Sequence, residues 1–249
     1  MDQDTVIDLM PEPRHLPARR GWQWYVQGFQ LFRRQPAIWV LLGLQFMVLA
    51  LLASVLPAVV AMAYTLLSPV LSGGVFLAAK RTDDGNKISP MDLFAAFKGE
   101  VKPLLRIGFI NVLAVVLITV LMSLFGNHAS IGEIPAGSLP SPEQIKALYL
   151  NLSINMILMT PVLCASWFAP ALVLFDGHTP IEAMKLSFAG VYRNWQAFLL
   201  SGLLTLALCI LSAFTLLLGL LLLLPVMMLM QYVAYQEIFS AKPIGKDGA

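Results

Sequence analysis

The feature that most constrains this chain is where charge is missing. No Asp, Glu, Lys, Arg or His occurs from Gln35 to Ala79, and none from Asn194 to Gln236. Shorter uncharged runs cover Ile107–Asn127 and Ala147–Phe175. A helix rises 1.5 Å per residue, so about 20 apolar residues cross a hydrocarbon core of ~30 Å. Each of the two longest runs therefore holds enough chain for two crossings. Composition agrees: mean hydropathy is +0.77 and charged residues are 12% of the chain, about half the share of a typical soluble domain. These features define an all-α, polytopic integral membrane protein.

Proline and glycine divide the runs. Pro57 breaks the first near its middle, which predicts spans over 37–56 and 58–79. The last run divides near Gly219 into 196–217 and 219–238. Single spans are expected over 104–126 and 147–175, the latter long and kinked by Pro161 and Pro170. The whole forms one transmembrane domain over 18–241, between a flexible cytoplasmic N-terminus (1–17) and a cytoplasmic tail (242–249). The acidic start MDQDTVIDLM has no basic region of the signal-peptide kind. Cys164 and Cys209 lie inside apolar runs, where a thiol behaves as a small hydrophobe.

Orientation is read from Lys and Arg. With six spans, 15 of the 16 basic residues fall on one side and only Lys146 on the other. Both termini are therefore expected in the cytoplasm, with the loop 127–145 facing outward as an irregular segment.

A second pattern recurs ahead of the apolar runs. GWQWYVQGFQLFRRQPAIWV (21–40) places Trp22, Tyr25, Val26, Phe29 and Phe32 on one helical stripe, with Gln23, Gln27, Gln30 and Arg34 opposite. TPIEAMKLSFAGVYRNWQAFLL (179–200) does the same with Ile181, Met184, Phe188, Val191 and Tyr192 against Glu182, Lys185 and Arg193. ISPMDLFAAFKGEVKPLLRI (88–107) stands between them. Ser89-Pro90-Met91-Asp92 and Thr179-Pro180-Ile181-Glu182 both read as capping boxes with proline at the first helical position. Each stretch reads as an amphipathic helix lying at the headgroup level. Arg34-Gln35 and Arg193-Asn194 mark corners into the bilayer, and Trp39 and Trp195 stand where interfacial anchors belong. The expected architecture is three parallel repeats, each an interfacial amphipathic helix plus a two-helix hairpin.

The stretch ARRGWQWYVQGFQLFRRQPAIWV, with SPVLSGGVFLAAKR and FDGHTPIEAMKLSF further on, resembles a family of uncharacterised inner-membrane proteins of Gram-negative bacteria. More distantly it is similar to the membrane domain fused to some glycerophosphodiester phosphodiesterases. The resemblance implies a fold and an inner-membrane location. It implies no activity and no site residues, since its motifs are structural.

Chemistry is sparse. His15, His128 and His178 are scattered, and Asp176-Gly177-His178 reads as a turn into the Thr179 cap. Gly73-Gly74 reads as a site of close helix packing. Arg106 and Glu237 sit near span ends, where snorkelling accounts for them. Asn111, Asn151, Asn155, Gln45 and Gln231 are the uncharged polar residues in or beside spans. They tie helices together, or Asn111 and Asn155 line a polar path. Basic corners at Arg33, Arg34, Lys102, Arg106, Lys185 and Arg193 could hold lipid headgroups or serve only to fix orientation.

The functional expectation is a non-enzymatic membrane protein, a lipid-associated scaffold or partner subunit, with a transporter or exporter of a small or amphipathic solute as the alternative. Membrane lipid, anionic phospholipid in particular, is the expected partner. No nucleic acid, metal or other cofactor is expected. The sequence specifies neither a protein partner nor a homo-oligomer.

Overall fold

The computed structural model describes residues 12–99, 101–125, 140–214 and 218–240. Among these residues there are nine α-helices, one 3-10 helix and no strand. α1 is Arg20–Phe32, α2 Pro36–Val55 and α3 Ala58–Asp83. The 3-10 helix Pro90–Lys98 follows, then α4 Val101–Phe125, α5 Pro142–Trp167 and α6 Ala169–Asp176. α7 is Pro180–Arg193, α8 Trp195–Ala213 and α9 Leu218–Phe239. Six helical stretches among the described residues are long and apolar enough to cross a membrane: α2, α3, α4, the α5–α6 pair, α8 and α9.

The expected spans recur with small shifts at their ends. α3 runs four residues past the expected end and carries Lys80 and Arg81 in its last turn, where cations suit the negative end of the helix dipole. α5 starts at Pro142, so residues expected in the irregular loop are helical. The cause is a capping box: Gln144 N–H donates to Ser141 Oγ at 3.2 Å, and Ser141 N–H donates to Gln144 Oε1 at 2.8 Å. The rest of that loop through residue 139, with His128, lies outside the described residues, as do residues 1–11 and the tail from 241.

The kink expected in the long span falls at Phe168, between α5 and α6, with Pro170 in the first turn of α6. Pro161 is accommodated inside α5. Ser187 of α7 satisfies the freed groups. Its hydroxyl accepts from Phe168 N–H at 2.9 Å and donates to the Cys164 carbonyl at 2.7 Å. In hydrocarbon a free backbone group would cost several kcal/mol.

The three segments ahead of the hairpins are helical, and the middle one is 3-10 rather than α. Both expected capping boxes are formed, at Ser89/Asp92 and Thr179/Glu182. Each follows an Asp-Gly turn, and Gly85 and Gly177 have φ of +76° and +71°, the left-handed region that suits glycine after a helix. α1 has no side-chain cap.

Packing corrects the expected stripes. Trp24, which the sequence reading assigns to neither side of α1, is fully buried together with Gly21, Tyr25, Gly28, Leu31 and Phe32. Trp22, Val26 and Phe29 face outward. In α7 the buried face is Ala183, Leu186, Ser187 and Gly190, while Ile181, Phe188 and Tyr192 are exposed. Trp39 is not an interfacial anchor: it is fully buried and its indole N–H donates to Thr82 Oγ1 at 3.2 Å. Trp195 is exposed, as an anchor requires. These helices do not simply lie on the surface. α1 packs on α8 and α9, the 3-10 helix on α2 and α3, and α7 on α4, α5 and α6. The missing side chains of Gly21 and Gly28 let α1 touch backbone, at the Ala197 carbonyl and at Val226 and Met230. Gly74 does the same beneath the Leu93 carbonyl of the 3-10 helix, which is the close-packing role read for the Gly73-Gly74 pair.

Candidate functional site

The last helix carries a dense run of polar contacts to other elements. Along QYVAYQE (231–237), Gln231 donates to the Trp167 carbonyl, Tyr232 to the Asp83 carboxylate at 3.2 Å, and Tyr235 to Asp176 at 2.6 Å. Glu237 accepts from the Trp24 indole at 2.8 Å and pairs with Arg20 at 2.7 Å. Asp83 and Asp176 close α3 and α6, and Glu237 lies near the end of α9, so the last helix is tied at its own end to the ends of two other spans. Glu237 is therefore not a snorkelling residue. It is 6% exposed and engaged on both oxygens. Asn194, at the corner between α7 and α8, is a second tie that the sequence reading missed as such. It is buried, accepts from Leu16 N–H at 2.7 Å and donates to the Arg14 carbonyl at 2.9 Å. Arg14 N–H in turn donates to the Ile238 carbonyl at 3.0 Å. Residues 14–16 are thus held, although the sequence places a flexible segment up to residue 17.

Beside this scaffold lies a groove of about 590 Å³ bounded by α1, α8 and α9. Its walls are Trp22, Val26 and Phe29 from α1, Leu204, Leu208 and Leu211 from α8, and Leu222, Leu223 and Val226 from α9. The polar residues at it are few: Tyr25, Gln30, Arg33 and Ser212. Tyr25 is engaged with Thr205. Arg33 is exposed, and its guanidinium has no hydrogen-bond or ion-pair partner among the described residues. An apolar trough with one unopposed guanidinium at its rim suits an acyl chain below and an anionic oxygen above.

The structure separates the six basic corner residues. Arg34 donates to the Thr82 carbonyl at 3.0 Å and to the Asp83 carbonyl at 2.9 Å, which pins the α1–α2 corner to the end of α3. Arg193 pairs with Glu12 at 2.6 Å. Arg33, Lys102, Arg106 and Lys185 are exposed without such a partner among the described residues. Arg106 is exposed, consistent with the snorkelling read from the sequence.

The two asparagines stand apart. Asn111 is 9% exposed and accepts from the Ser166 hydroxyl at 2.7 Å, tying α4 to α5. Asn155 lies on the exposed side of α5, eleven residues from Ser166, which is about 16 Å along a helix. Asp176-Gly177-His178 is the turn the sequence suggests, with Gly177 ending α6 and Asp176 accepting from Tyr235.

A protein of Burkholderia thailandensis whose name reads "Probable inner membrane protein" is 29% identical over 208 residues, which covers 78% of this chain and 74% of the relative. No family model and no solved structure matches the chain. The described residues are all-helical, with six stretches long and apolar enough to cross a membrane, which is the pattern of a multi-pass membrane protein.

Proposed function

We propose that this protein is a non-enzymatic, lipid-associated scaffold or partner subunit that holds anionic phospholipid at the rim of the α1/α8/α9 groove. The observation that carries this reading is Arg33, an exposed cation with no partner among the described residues, at the edge of a trough walled by leucine, valine and aromatics. A basic residue near the surface of an anionic leaflet contributes about 1 kcal/mol to lipid attraction. Of the six basic corner residues first considered, Arg34 and Arg193 already have protein partners, and of Arg33, Lys102, Arg106 and Lys185 only Arg33 lines this groove, so the proposal rests on Arg33. A non-catalytic role is supported by the use of Asp176 and Gly177 in a structural turn. The transporter alternative draws no support from Asn111 and Asn155, one bonded between helices and the other on an outer face.

The proposal includes three parallel units. It is supported by the way each short helix rests on the hairpin before it in the chain, with α1 resting on the last hairpin, and by the paired turn-and-cap motifs at Gly85–Ser89 and Gly177–Thr179. Cytoplasmic termini follow from the distribution of basic residues. The distant likeness to the membrane domain of some glycerophosphodiester phosphodiesterases belongs to the same reading and brings a fold only.

The test is native mass spectrometry of the purified protein. Wild type should retain phosphatidylglycerol in preference to phosphatidylethanolamine, and Arg33→Gln should reduce that preference without changing thermal stability. Equal retention of both lipids by wild type would overturn the proposal.

A further inference from the structure

The groove beside α1 has a counterpart. α7 rests on the α4/α5 hairpin as α1 rests on α8/α9. A second groove, of about 640 Å³, opens there, between Ile110 of α4, Ala165 of α5 and the α7 residues Ile181, Met184 and Phe188. Its one charged lining residue is Lys185. The two helices match in what they present. Trp22 and Phe29 stand two turns apart on α1 and are 55% and 46% exposed, while Ile181 and Phe188 stand two turns apart on α7 and are 60% and 41% exposed. In each case a cation lines the groove, Arg33 just past the end of α1 and Lys185 within α7.

Charge decides what can fill the second groove. The acid nearest to Lys185 on its own helix is Glu182, and its carboxylate is held at the helix start by Thr179 N–H at 3.0 Å. The Lys185 side chain makes no hydrogen bond or ion pair among the described residues, and Glu182, one turn before it, meets it only through longer-range electrostatics. Ile110, Ala165, Ile181, Met184 and Phe188 offer an occupant only apolar side-chain surface, which suits a hydrocarbon chain. We infer that the α4/α5/α7 groove is a second lipid site, taking one anionic glycerophospholipid with its phosphate at Lys185 and an acyl chain against Phe188 and Ile110. Two such lipids would then bind each chain, one beside each of two short helices. This rests on the lipid reading of the first groove but concerns different residues.

Native mass spectrometry of the full chain, titrated separately with phosphatidylglycerol and phosphatidylethanolamine, tests it. Wild type should show two phosphatidylglycerol binding steps that phosphatidylethanolamine does not reproduce. Lys185→Gln should weaken one step about fivefold, the effect of one surface charge. Arg33→Gln should weaken the other, the double variant both, and Lys185→Arg should restore the second step. If Lys185→Gln leaves both steps intact while Arg33→Gln removes one, the second site is overturned and the first stands. If Arg33→Gln has no effect while Lys185→Gln removes a step, the second site stands and the first falls. Loss of a step in Lys185→Gln that Lys185→Arg does not restore would also overturn the second site, since charge would not be the cause.

Discussion

The indole N–H of Trp24 donates to the carboxylate of Glu237 at 2.8 Å. The two residues lie 213 positions apart, on the first and last described helices, and both are buried. Arg20, one turn before Trp24, neutralises the same carboxylate at 2.7 Å. A carboxylate this enclosed is held because every partner is in place, and removing one side of such a pair costs about 3–5 kcal/mol.

Arg20→Leu should therefore destabilise the protein strongly, because it leaves Glu237 charged and unneutralised. Glu237→Gln should cost less, since an amide oxygen still accepts from Trp24. The check is thermal unfolding in one detergent, with wild type, both single variants and the double variant. An Arg20→Leu unfolding temperature equal to that of wild type would show that the pair is not coupled to folding.

Ser187 joins α7 to the break between α5 and α6. Ser187→Ala strands the Phe168 N–H and should cost about 1–3 kcal/mol, the penalty for an unsatisfied buried donor. Hydrogen exchange should speed up at Phe168 while leaving the start of α2 unchanged. Unchanged exchange at Phe168 would mean that another group replaces the hydroxyl.

The start of α7 should respond to acid. The Thr179 hydroxyl, followed by its backbone N–H, holds the Glu182 carboxyl below its ordinary value of about 4.5. A carboxyl depressed in the folded state stabilises above its unfolded value, and that contribution is lost as pH falls through the lower folded value. Exchange protection at Ile181–Ala183 should thus hold at pH 6 and fall below about pH 4.5, and Glu182→Gln should flatten the profile. Glu182 is only partly buried, so the effect should stay local.

Orientation is tested by reporter fusions. A reporter at residue 135 should report the outer side, and one at the C-terminus the cytoplasm, following the 15 basic residues assigned to one side. A C-terminal fusion that reports the outside would reverse the topology and move the Arg33 and Lys185 rims to the other leaflet.

Much of the fold is legible in order along the chain. Spans, the two capping boxes and the Asp-Gly turns are local: each depends on a few neighbouring residues and on the cost of placing charge in hydrocarbon. Pro170 marks the kinked region in the same way, although its position at Phe168 is completed by Ser187, which a sequence reading does not connect to it. The candidate site was legible only in its parts. Arg33, Lys185, Phe29 and Phe188 stand out as cations and aromatics on helical stripes, but the grooves between them depend on which hairpin each helix meets.

The sequence by itself determined the number of spans and the position of each short amphipathic helix, because hydrophobic transfer and helix capping act residue by residue. The tertiary structure alone decided which face of α1 is inside. Trp22 and Trp24 are chemically alike, and only the close approach of Gly21 and Gly28 to the α8/α9 hairpin buries one and exposes the other. It also decided the fate of each charge. Arg33 and Arg34 are adjacent and identical, yet one meets the carbonyls at the end of α3 and the other stands unpaired at a groove. Such pairings depend on packing between segments distant in sequence, and no local free energy encodes them.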